Sequence, residues 1–60
     1  MSAVSLDEQI SSVRREIALR ERVYPRFVQT GRLKDYTARH ELAAMKAVLD
    51  TLLSLQNTRK

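Results

Sequence analysis

The sequence predicts an all-α protein, an antiparallel helical hairpin of two long helices with the first kinked at Pro25. It further predicts that two hairpins dimerise into a four-helix bundle. Three observations carry this reading. Apolar residues recur at alternating steps of four and three on both sides of a short corner, the signature of an amphipathic helix with a coiled-coil-like seam. The only proline and the only glycine, Pro25 and Gly31, both fall in that corner, residues 20–32 (RERVYPRFVQTGR). A full capping box opens the first helix.

The first helix is expected over about residues 5–30. In Ser5-Leu6-Asp7-Glu8 the serine hydroxyl accepts from the Glu8 amide while the Glu8 carboxylate reaches back to the Ser5 amide. Asp7 and Glu8 also sit at the positive end of the helix dipole. Leu6, Ile10, Val13, Ile17, Tyr24 and Phe27 then form the seam, and only position 20 breaks it with Arg20. Pro25 removes the hydrogen bond to the Glu21 carbonyl and crowds that turn, a cost of about 3 kcal/mol in a helix interior. The helix therefore either kinks and continues to Gln29 or Thr30, or stops near Val23 and restarts at Pro25. Phe27 and Val28 keep the apolar face going, which favours the kink. Gly31 supplies a left-handed C-cap.

The second helix is expected over about residues 35–56, weakly marked at its start by Lys34 or Asp35. Ala38, Leu42, Met45, Leu49 and Leu52 form its seam, broadened by Val48, Leu53 and Leu55. Helices joined by so few residues run antiparallel. Two helices cover each other's seams but leave their flanks wet, and the wide face of the second points to another hairpin docking there.

Size leads to the same expectation. A chain of 60 residues is one domain at most and buries little surface per residue. Such chains rely on a disulfide, a metal or a partner. There is no cysteine, and the one histidine, His40, has no carboxylate cluster around it. No metal or other cofactor is expected, and a homodimer or a tight complex with another protein remains. The acidic N-terminal stretch lacks the pattern of a signal peptide and no apolar run is long enough for a membrane span. The expected location is the cytoplasm.

No reaction is legible. Ser11, Ser12, Thr30 and Thr37 are the hydroxyls within reach of the argument, His40 is the single imidazole, and Gly31 stands alone rather than in a phosphate loop. The reading is non-enzymatic, with no small-molecule substrate.

Charge is more informative. Of the net +4, residues 1–13 contribute −2, residues 14–39 contribute +5 and residues 40–60 contribute +1. The positive field centres on the corner and suits an acidic protein or a nucleic acid. Ser11, Arg15, Ala18, Arg22 and Arg26 share one helix face opposite the seam, and Arg14, Arg32, Lys34 and Arg39 extend it around the corner. Tyr24, Arg22, Arg26, Arg15 and Arg32 are the candidate partner-binding residues, Tyr and Arg being enriched in interface hot spots. The alternative is a solvated face that keeps a small apolar dimer dispersed. Arg20 either snorkels out of the seam or meets a carboxylate, with Glu41 the candidate partner. Helix 2 offers few polar reading groups at its N-terminal end, which argues against sequence-specific reading of DNA.

The segments Arg20-Glu21-Arg22-Val23-Tyr24-Pro25-Arg26-Phe27-Val28, Gly31-Arg32-Leu33, and Glu41-Leu42-Ala43-Ala44-Met45 with Ala47-Val48-Leu49 resemble a group of short uncharacterised proteins of bacteriophages and prophages. These share an RERVYPR(W/F)V signature followed by GR and an EL..M.AVL pattern, and the resemblance spans residues 9–53. It implies a phage or mobile-element origin and expression in a bacterial cell, and no particular activity. Members of the group often have Thr where this chain has Lys34. The expectation is a small interaction protein that regulates or inhibits a host or phage protein through the basic corner. Alternatives are a non-specific nucleic-acid binder using the Arg-rich face and a structural component of a phage assembly.

Overall fold

Ser5 starts the first helix with extended backbone, its hydroxyl accepting from the Glu8 amide at 3.1 Å while the Glu8 carboxylate accepts from the Ser5 amide at 3.3 Å. The structure, a computed structural model, describes residues 3–58. Helix α1 runs over Leu6–Gln29 and α2 over Asp35–Thr58, and among the described residues there is no strand. The expected boundaries hold to within two residues, the second helix running past residue 56 to Thr58. At 1.5 Å per residue each helix is about 36 Å long. The hairpin measures 44 × 18 × 18 Å.

The helix passes through Pro25 without a break, which removes the alternative that it stops near Val23. Pro25 and Glu21 are both exposed, so the helical bond lost at the Glu21 carbonyl falls outside the packed seam.

The reversal is a Schellman motif. The Arg32 amide donates to the Phe27 carbonyl at 2.9 Å and the Gly31 amide to the Val28 carbonyl at 3.2 Å. Gly31 sits between them at φ 80°, the left-handed conformation expected of it. The apolar contact that often accompanies this motif is here a cation–π contact, with the Arg32 guanidinium 5.9 Å from the Phe27 ring centre. Residues 30–34 complete the connection. Lys34 accepts the first backbone bond of α2 from Ala38 at 2.9 Å, and its own side chain has no acceptor to cap the free amides.

The helices run antiparallel and are clasped at the open end by the Gln56 amide donating to the Asp7 carboxylate. Ile10, Ile17 and Ala38 are buried between them. The other expected core residues, Leu6, Val13, Phe27, Leu42, Met45, Leu49 and Leu52, are half-buried. All nine residues expected in the core are thus shielded to some degree, yet only two of them fully. A single hairpin encloses a thin core.

Candidate functional site

Successive residues step about 100° around a helix, so side chains seven and eleven positions apart return to nearly the same face. Arg15, Arg22 and Arg26 are placed in this way along the outer edge of α1, and all three are exposed. The helix rise sets Arg15 and Arg22 about 10 Å apart and Arg22 and Arg26 about 6 Å apart. Arg15 donates to the Ser12 hydroxyl at 3.3 Å. Arg22 and Arg26 have no ion-pair or hydrogen-bond partner for their guanidinium groups among the described residues.

The acidic side chains are engaged elsewhere. Asp7 takes the Gln56 amide and Glu8 closes the capping box. Glu16 binds Arg20 at 2.9 Å, Glu41 approaches the same guanidinium at 3.8 Å, Glu21 pairs with Lys46 at 3.3 Å and Asp35 with Arg39 at 2.9 Å. Among the described acids only Asp50 makes no ion pair or hydrogen bond of this kind. Among the described residues the positive charge left over lies on Arg14, Arg15, Arg22, Arg26, Arg32 and Lys34. A row of cations on a convex helix edge can hold carboxylates or phosphates, and its bonds to them would be charge-assisted.

Two of the expected site residues stand apart from this row. Tyr24 is half-buried on the side of α1 that faces α2, where the Arg20 guanidinium lies 5.8 Å from its ring centre. Arg32 lies at the turn on Phe27. The basic row and the aromatic corner therefore do not form one patch. Tyr24 instead helps line a shallow groove of about 430 Å³ near the turn, walled by Pro25, Val28, Ala38 and Leu42 with Asp35 and Arg39 at the rim.

Arg20, the break in the seam, meets two carboxylates rather than none. Its guanidinium is held above the ordinary arginine value, chiefly by the hydrogen bond to Glu16, with the charges of Glu16 and Glu41 and the neighbouring Tyr24 phenol acting in the same direction. Half-exposed to exposed carboxylates around it make this a surface network rather than a buried pair.

Tyr36 carried no signal of its own in the sequence because it lies off the α2 seam. It is 66% exposed, at the first turn of α2 on the outer edge away from the arginine row. His40 is exposed and has no hydrogen-bond partner among the described residues. Among those residues no group of three or more His, Cys, Asp or Glu gathers at metal-binding distance, and no helix is long and apolar enough to cross a membrane. No family model, curated protein or solved structure matches the chain.

Proposed function

We propose that this chain is a small interaction protein that acts without catalysis, holding an acidic protein surface against the outer edge of α1. Arg15, Arg22 and Arg26 make the contact, and Arg14 lies at its flank. One observation carries the reading: nearly every described carboxylate is occupied within the chain, whereas Arg22 and Arg26 are exposed and unpaired. Such cations steer an oppositely charged partner and fix its register. A protein partner is preferred to single-stranded nucleic acid because no aromatic side chain shares the arginine face, and base stacking needs one. In line with the resemblance of its corner motif, the chain acts in a bacterial cell as a phage-type regulator or inhibitor.

The test is a pulldown from nuclease-treated bacterial lysate with the wild-type chain and with Arg22→Glu/Arg26→Glu. An acidic protein retained in stoichiometric amount, released by salt and lost with the double variant, is the expected result. Helicity by circular dichroism should be unchanged, since both side chains are exposed. A partner indifferent to the double variant sinks the proposal. So does tight binding to duplex DNA with a log–log salt slope of about −7, the value for four arginines per subunit of a dimer on phosphates.

A further inference from the structure

The flanks of the two helices, as well as their seams, are arranged in a common pattern. At about 100° per residue, Leu19 and Val23 lie on the same side of the α1 seam as Arg20. Ala44, Val48 and Leu55 lie on the same side of the α2 seam as Glu41 by the same count. Arg20 meets Glu41 across the hairpin, so these two flanks belong to one face. Glu21 meets Lys46 on the other face, which also carries Arg14, Arg39 and Asp50. The exposed aliphatic side chains thus gather on one side, beside the Arg20–Glu41 pair, and the other side is charged.

The apolar side has an internal order. Phe27, Val23 and Leu19 step down α1 from the turn to mid-helix, and Val48, Leu52 and Leu55 continue along α2 towards the open end. Together they form the apolar strip of this face, interrupted by the Arg20–Glu16–Glu41 network. Leu19, Val48 and Leu55 are 43%, 44% and 51% exposed, large fractions for branched aliphatic side chains in a folded chain.

We infer that a second copy of this chain covers that strip. A two-fold contact through this face sets each strip against its copy, as an isologous interface requires. The exposed area favours this occupant. The chain of 6.9 kDa exposes 4908 Å². A monomeric protein of this mass is expected to expose about 4,000 Å². The excess, about 900 Å², is close to the roughly 800 Å² per partner of a standard stable interface. With only three side chains buried among the described residues, the dimer interface would supply much of the core the chain lacks alone. Leu19 stands four positions after Arg15 and seven before Arg26, so the self-contact borders the arginine row at the α1 edge.

Sedimentation equilibrium of the full chain, with thermal unfolding over roughly 1 to 300 µM, tests this directly. A two-chain mass and a Tm that rises with concentration are expected. Leu19→Glu and Val48→Glu should each weaken self-association by about 100-fold or more, because they place a charge in the strip. Asp50→Lys, on the charged face, should leave it unchanged. A monomer whose Tm is independent of concentration overturns the inference, as does a trimer or tetramer, or a dimer indifferent to both strip variants. Should the strip variants fail to fold, the concentration dependence of the wild-type chain decides. None of these outcomes depends on whether the arginine row binds its acidic partner.

Discussion

Gly31 carries the reversal of the chain on one torsion, a φ of 80°, and no heavy atom lies within 4 Å of where its Cβ would stand. A side chain there meets no obstacle except its own backbone. Gly31→Ala is therefore expected to destabilise the fold by about 1–2 kcal/mol, the cost of a left-handed L-residue, and Gly31→Asn by less. Thermal unfolding at one fixed concentration reads both. This residue was legible because glycine after a helical run has one common use. Tyr24 was legible only in part. Its place in the seam was plain, but its type also suggested a contact surface, and the structure turns it towards Arg20 and α2 instead. Arg20 was visible as a flaw in the seam and Glu41 as a neighbour. The shorter bond is to Glu16 on its own helix, so the guanidinium is shared between α1 and Glu41 of α2 rather than being half of one pair.

At the scale of the helix, propensity and pattern disagree at one point in α1 and pattern wins. Pro25 removes one backbone bond, yet the apolar spacing through Phe27 and Val28 gives the helix a reason to continue to Gln29. Pro25→Ala restores a donor for the Glu21 carbonyl and should raise stability by up to about 3 kcal/mol, measured by urea unfolding. A loss of stability would mean that the shape imposed by proline is needed for packing against α2 or a second chain. The start of α1 was fully legible because a capping box is local, its four residues holding both partners of each bond. The start of α2 was blurred for the opposite reason, since Lys34 accepts through its backbone alone and offers no side-chain cap. The far end of α2, expected near residue 56, reaches Thr58, whose hydroxyl donates to the Leu55 carbonyl.

For the molecule as a whole, hairpin topology followed from two seams and a short corner, whereas the sorting of its sides did not. Which acid meets which base depends on how residues on one helix align with residues on the other, and no local pattern fixes that alignment. The pairs Arg20–Glu41 and Glu21–Lys46 mark that alignment, one on each face of the hairpin. The clasp at the open end has a further consequence, in the order of events in time. Asp7 and Gln56 are 49 positions apart, whereas the bonds of the turn span six or fewer. Closing a longer loop costs more chain entropy, so contacts near Gly31 can form at little cost and those at the clasp wait for the helices between to align. The hairpin should close from the turn outward, with the clasp formed last and released first. Gln56→Ala is then expected to speed unfolding and leave the refolding rate unchanged in stopped-flow experiments at fixed concentration. Slower refolding with unaltered unfolding would instead place the open end at the beginning of the folding path.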